Sequence, residues 1–299
     1  MRAPKPVWTP WPPNCNEPMK MARYPIHTAL LLASAALLAA ATFPTPVFSA
    51  AAQTQAPDDF SGFWTRGPAV QSAFEPPDAG PGPVINLTPP PPEQGGGIGG
   101  SWIGDHTNPI LQPWAAATVR EHNDREREDR PFLTAQQLCS PHGVPFILQL
   151  NDTVQFLHTR DLFVILYARE MRARFIHMDA EHPPDLEPSY YGHSIGHWEG
   201  GTLVVDTIGI SDNTWTDRFG TPHTDQIHVV ERTRLVDGGN TIRVDFTVED
   251  PGAFTTPWSA FVTYHPEDGI YSEQACAENN RNILTGEDYP IPVDDTPDF

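Results

Sequence analysis

The clearest potential for proton chemistry lies in one loop and the apolar run after it: Asp217 and His223 in the polar, aromatic-containing stretch 210–225, then His228 and Glu231. A buried carboxyl group beside an imidazole is the usual equipment for moving a proton, because burial raises the carboxyl pKa and histidine titrates near neutrality. His223 is the expected acid/base, Asp217 its orienter, and Glu231 and Asp206 the further carboxylates. His228 and Glu231 are three apart and face opposite sides of a regular strand. Ile227, Val229 and Leu235 share the face of Glu231, so Glu231 is the expected interior group, paired with Arg174 as an anion or oxyanion partner. The plainer alternative makes Glu170, Arg174, Glu231 and Arg232 structural ion pairs between strands. Trp215 in the loop, with Trp198, Glu170, Arg174, His193 and His197, completes the expected substrate-binding set. Tryptophans either line a pocket for an aromatic ligand or close a core.

Eleven of the 12 histidines follow residue 51, which raises a metal-dependent hydrolase built from His193, His197, His223 and His228 as an alternative. Geometry restrains it, since four residues of strand separate His193 from His197 by about 13 Å, too far for one ion. No cofactor is expected. Gly192-His193-Ser194-Ile195-Gly196 has the G-x-S-x-G form of a hydrolase nucleophile elbow, but the residues after it read as strand where the elbow needs a helix, so Ser194 is expected to be structural. The run 95–100 formally matches G-x-G-x-x-G, without the flanking strand and helix that dinucleotide binding requires.

These residues must be positioned by a mainly β domain. Runs of Val, Ile, Phe, Thr and Tyr between Gly-, Pro- and Asp-rich breaks predict strands at 144–150, 153–159, 161–168, 172–178, 190–197, 202–208, 227–236, 241–249 and 260–265. Alternation is clearest at Ile242, Val244, Phe246 and Val248, whose neighbours Arg243, Asp245 and Thr247 are polar. Short turns at Glu199-Gly200-Gly201 and Asp237-Gly238-Gly239 point to an antiparallel meander. One helix is predicted over Trp114–Glu128, led by Pro113 and packed outside the sheet. Pro- and Gly-rich residues 76–104 read as a long irregular excursion. The expected fold is a single domain over 60–299, a meander closing into a lipocalin- or calycin-like barrel.

The first residues carry a different message. ALLLASAALLAAA at 29–41, preceded by Lys20 and Arg23 and followed by Ser49, Ala50 and Ala51, predicts a signal peptide over 1–51, with Met19 or Met21 as candidate starts and a polar leader at 52–59. A periplasmic or secreted location follows, with no membrane span after cleavage. Four of the 18 basic and one of the 38 acidic residues precede Ala51, which leaves 14 against 37 and a net charge of −23. Nucleic acid and anionic lipid are poor partners for that surface. Lys5 and Lys20 are the only lysines, so no Schiff-base or lysine-base mechanism is open to the exported part. Cys139 and Cys276 remain after cleavage and are expected to form a disulfide, with two buried thiols as the alternative.

The stretch Tyr191–Thr207 (YGHSIGHWEGGTLVVDT) resembles a large family of secreted bacterial proteins with the pattern G-x-S-x-G-x-W-E-G-D-T-L-V-V-D-T. Trp215/Asp217, Gly220/Pro222/His223, Glu231/Arg232/Arg234 and Asp250/Pro251/Phe254/Pro257/Trp258 match its later motifs, and Cys139-Ser140-Pro141-His142-Gly143, Glu170–Ile176 and Cys276–Asn279 extend the likeness. Gly201 stands where the family has Asp, and His193 and His197 where it has aromatic or basic residues. The family carries no assigned reaction, so the resemblance implies architecture rather than chemistry. Gly62-Phe63-Trp64 is similar to the G-x-W that opens lipocalin-type barrels. The expected function is binding of a small hydrophobic or aromatic molecule, with cofactor-free acid/base catalysis of the lyase, hydratase or isomerase type. A non-catalytic lipocalin-like carrier is the alternative from another class.

Overall fold

The computed structural model describes residues 59–66, 73–87, 102–128, 135 and 138–269. The expected signal peptide, most of the polar leader, the glycine run at 95–100 and Cys276 lie outside the described residues. The chain divides into two units, Met1–Ala51 and Ala52–Phe299, and everything below concerns the second.

Nine strands close into one barrel in chain order: β1 (Gly62–Thr65), β2 (Val154–His158), β3 (Leu162–Tyr167), β4 (Arg172–Met178), β5 (His193–Glu199), β6 (Thr202–Ile208), β7 (His228–Val236), β8 (Thr241–Glu249) and β9 (Trp258–Pro266), with β9 returning to β1. Closure follows from alternation. Along β8, Ile242, Val244, Phe246 and Val248 are buried while their neighbours are not uniformly so, and β9 repeats the pattern at Trp258, Ala260, Val262 and Tyr264. Each large apolar side chain removed from water contributes roughly 1.5–3 kcal/mol, and closing the sheet leaves no edge unpaired.

The meander has one exception, forced by arithmetic. A ring of nine strands cannot be antiparallel at every neighbour, because the strand direction must return to itself after an odd number of reversals. The parallel pair is β4 with β5, Ile176 opposite Ser194 and Met178 opposite Gly196. Segment 179–192 therefore crosses from one end of the barrel to the other before β5 begins. At its end Gly192 takes φ 64°, and a Cβ there would lie 2.4 Å from the carbonyl oxygen of Ile208. Gly192→Ala is expected to destabilise the domain by more than about 2 kcal/mol, read from a urea midpoint, since both the left-handed backbone and the clash oppose it.

Two further differences from the sequence reading have physical causes. The strand expected at 144–150 is instead a 3-10 turn, Phe146–Gln149, in which Phe146, Ile147, Leu148 and Gln149 are all buried. A short run of buried residues has no alternation to distinguish strand from turn. The strand that takes its place in the barrel is β1, carried by Gly62-Phe63-Trp64. The helix α1 (Pro113–Arg127) starts with Pro in its first turn and buries Ala115, Val119, His122 and Asn123.

The barrel ends are unlike. One has the short links β2–β3, β5–β6 and β7–β8, and there Trp198 stacks on Phe60 with centroids 5.7 Å apart and meets Phe163 and His158 edge-on. The other gathers the 66–153 excursion with α1, the β3–β4 turn and the loops 209–227 and 250–257.

Candidate functional site

Near the long-loop end, the barrel interior is polar where alternation alone predicts hydrocarbon. Arg174 on β4 and Glu231 on β7, both 2% exposed, face each other across the lumen and form a two-pronged ion pair, Nη1 to Oε2 at 3.0 Å and Nη2 to Oε1 at 2.8 Å. Arg174 Nε also donates to Ser194 Oγ at 3.2 Å and Nη2 to Thr207 Oγ1 at 2.9 Å, and those two hydroxyls are 2.9 Å apart. Burial alone would lower the Arg174 pKa, but Glu231 outweighs it and holds the guanidinium firmly charged. Ser194 is thus a strut between strands. Tyr167 lies beside this lattice without a hydrogen bond of regular geometry, and burial pushes its hydroxyl pKa up.

Above the lattice sits a relay that joins three segments. Tyr191, at the end of the crossover, stacks on Tyr167 at 6.0 Å and 21°, and its hydroxyl donates to Glu170 Oε2. Glu170, in the β3–β4 turn, accepts at Oε1 from the His142 backbone N–H at 2.8 Å and from His142 Nδ1. Burial pushes the Glu170 carboxyl up, but hydrogen bonds from His142 and Tyr191 and the attraction of His142 outweigh it and hold the group below the usual range. An ionised carboxylate only accepts, so Nδ1 carries the proton and the lone pair of the neutral ring is on Nε2. Among the described residues, Nε2 makes no hydrogen bond. Phe146 packs edge-on against the imidazole at 4.6 Å. Gly143 takes φ 78° and a Cβ there would lie 2.7 Å from Tyr190 O and 2.8 Å from Thr214 Cγ2, so this loop presses against both the crossover and loop 209–227.

The residues expected to form the site in loop 209–227 are present but serve the loop itself. His223 is 4% exposed, with Nδ1 donating to Thr224 O at 2.9 Å and Nε2 2.7 Å from Thr214 Oγ1. Burial lowers its pKa and favours the neutral ring. Asp217 does not orient it: Asp217 Oδ1 accepts from Phe219 N at 2.9 Å and Thr221 N at 3.1 Å, closing a tight turn. The carboxylate beside His223 is Asp250, which accepts from Thr224 N and Thr224 Oγ1. Trp215 meets His122 of α1 edge-on at 5.0 Å and so fixes the loop to the helix.

Burial pushes the Asp217 carboxyl up to about 6, against 3.8 for the free group, despite the hydrogen bonds from Thr221 and Phe219 that favour ionisation. The folded state therefore holds this proton more tightly than the unfolded one, and stability is lost as the pH rises from about 4 through about 6. Asp217→Asn keeps an acceptor for both N–H groups and carries no charge. It is expected to raise stability at about pH 7.5 by up to about 3 kcal/mol, and by little at about pH 4, in paired urea titrations.

The other histidines and Asp206 are on the outer wall. Asp206, expected as an interior carboxylate, alternates outward from Val205 and Thr207 and accepts from His182 Nε2 at 3.0 Å and His228 Nε2 at 2.9 Å. His193 faces the same way, its Nδ1 2.8 Å from His182 Nδ1 and its ring stacked on His177 at 5.0 Å and 8°. His197 pairs with Glu199 at 3.2 Å, and Glu199 with Arg232 at 2.5 Å, on exposed surface. His193, His197, His223 and His228 do not converge, and among the described residues no three His, Cys, Asp or Glu side chains are grouped to hold a metal ion. Trp198 closes the short-link end, away from Glu170 and Arg174.

His142 and His182 were not among the residues singled out by spacing. His142 had a signal in Cys139-Ser140-Pro141-His142-Gly143, while His182 lies in a crossover with no periodicity. Among the described residues, no helix is long and apolar enough to cross a membrane. No family model matches the chain, and no curated protein matches it.

Proposed function

We propose that this is an exported β-barrel protein that binds a small hydrophobic or aromatic molecule at its long-loop end and moves a proton on it without a cofactor. The observation that carries the reading is the Tyr191–Glu170–His142 relay, which leaves Nε2 of His142, a residue only 3% exposed, without a hydrogen-bond partner among the described residues, so a ligand reaches it by parting the loops packed around it. His142 takes a proton at Nε2, and Glu170, already accepting the Nδ1 proton, stabilises the imidazolium that forms. The same nitrogen returns the proton to another atom of the molecule, as a lyase, hydratase or isomerase step requires. Phe146 against the imidazole, and Tyr191 stacked on Tyr167 beside Glu170, supply aromatic surface.

The acid/base is thus His142 rather than His223, and Arg174 and Glu231 form the floor beneath it. The signal over 1–51 and the resemblance to secreted bacterial proteins belong to the same proposal. So does a Cys139–Cys276 disulfide, supported by Cys139 being a half-cystine. Native mass spectrometry of the chain from Gln53 to Phe299, produced in a periplasm, tests the binding step. The expected result is an organic adduct, or one acquired from a panel of aromatic carbonyl compounds, with no free thiol after unfolding. A domain that is empty and takes up none of them contradicts the proposal.

A further inference from the structure

The outer wall beside β5 and β6 holds a second chemical feature, unrelated to the relay. The crossover lays His182 across the sheet so that its two nitrogens face different partners. Nε2 is 3.0 Å from Asp206 Oδ1, and Nδ1 is 2.8 Å from Nδ1 of His193. Because the ionised carboxylate only accepts, it holds the His182 proton on Nε2 and leaves Nδ1 as a lone pair aimed at His193. Asp206 is itself held by His228 Nε2 at 2.9 Å, with Glu249 4.0 Å from the far nitrogen of His228. His193 is fixed in turn by stacking on His177.

Two imidazole nitrogens at this separation need something between them, either a shared proton or a cation. Nitrogen ligands about 2.0–2.1 Å from a metal are separated by roughly 3 Å at the angles of common coordination geometries, so the 2.8 Å separation suits two ligands of one ion once both rings turn off the line that joins them. A ligating histidine whose other nitrogen donates to a carboxylate is the arrangement that fixes tautomer and raises ligand basicity. Imidazole pairs suit borderline first-row cations rather than calcium or magnesium.

We propose that His182 Nδ1 and His193 Nδ1 form a two-histidine site for a divalent cation of the zinc or copper class, with Asp206 as the positioning carboxylate. Water fills the remaining positions, in keeping with the absence of a third grouped ligand among the described residues. A cation there ties the crossover to β5.

The test is calorimetric titration of ZnCl2 into the tag-free, chelator-treated chain Gln53–Phe299, alongside four variants whose folding is checked by circular dichroism and melting. The wild type is expected to bind one Zn2+. His182→Ala and His193→Ala are each expected to weaken binding at least about tenfold, and Asp206→Asn by about 10–100-fold. His197→Ala, on the same strand and the same outer wall but paired with Glu199, is expected to leave it unchanged. The proposal is overturned if the wild type binds no zinc, if binding survives loss of either His182 or His193, or if His197→Ala removes it.

Discussion

Arg174→Met is expected to destabilise the domain by about 3–5 kcal/mol, because it leaves the Glu231 carboxylate in the barrel interior with no cation to meet it. Both partners are sealed from water, and Ser194 and Thr207 accept from the same guanidinium, so four strands lose a shared tie. The double variant Arg174→Met/Glu231→Leu removes the pair and its desolvation cost together, and is expected to recover to within about 2 kcal/mol of the wild type. Denaturant midpoints of the two singles and the double give the coupling directly. Additive losses would show that the pair is incidental to the barrel.

The largest functional effect is expected at His142. Removing a positioned acid/base lowers a rate by about 10²–10⁴-fold, so His142→Ala is expected to abolish turnover on any substrate found while leaving the barrel folded. Glu170→Gln is expected to lose rate as well, because a neutral amide cannot stabilise the imidazolium. It carries an independent stability signature. The Glu170 carboxyl is held below its ordinary value of 4.5, so its contribution to stability is complete above that pH and is lost as the pH falls through its folded value. The stability gap between wild type and Glu170→Gln therefore narrows in acid. A merely structural Glu170 would give that narrowing without any loss of turnover in folded protein.

Most of the barrel was legible because short apolar, β-branched and aromatic runs recur between turn residues, with alternation clearest in β8, and the inward face of Glu231 could be read from Ile227, Val229 and Leu235. The parallel pair could not be seen in any single strand; it emerges only from counting nine strands in a closed ring. The site was harder. The face of Asp206 is hard to read because Leu203, Val204 and Val205 are all apolar, and all three are buried. Asp217 and His223 are six residues apart and share a loop, yet a tight turn of Asx type consumed the carboxylate before it reached the ring. His142 and Glu170 are 28 residues apart in unrelated segments, and no periodicity connects a turn to a loop.

If a proton moves through His142 at the long-loop end of the barrel, the most direct measurement is protein-dependent exchange of carbon-bound hydrogen for solvent deuterium in a panel of aromatic carbonyl compounds, followed by NMR. Wild type, His142→Ala and His223→Ala would be compared at equal concentration. Exchange is expected in at least one compound with the wild type, with a loss of about 10²-fold or more for His142→Ala and little change for His223→Ala wherever that variant remains folded. Exchange that survives His142→Ala and disappears with folded His223→Ala would contradict this mechanism, and so would a wild-type protein that exchanges none of the panel.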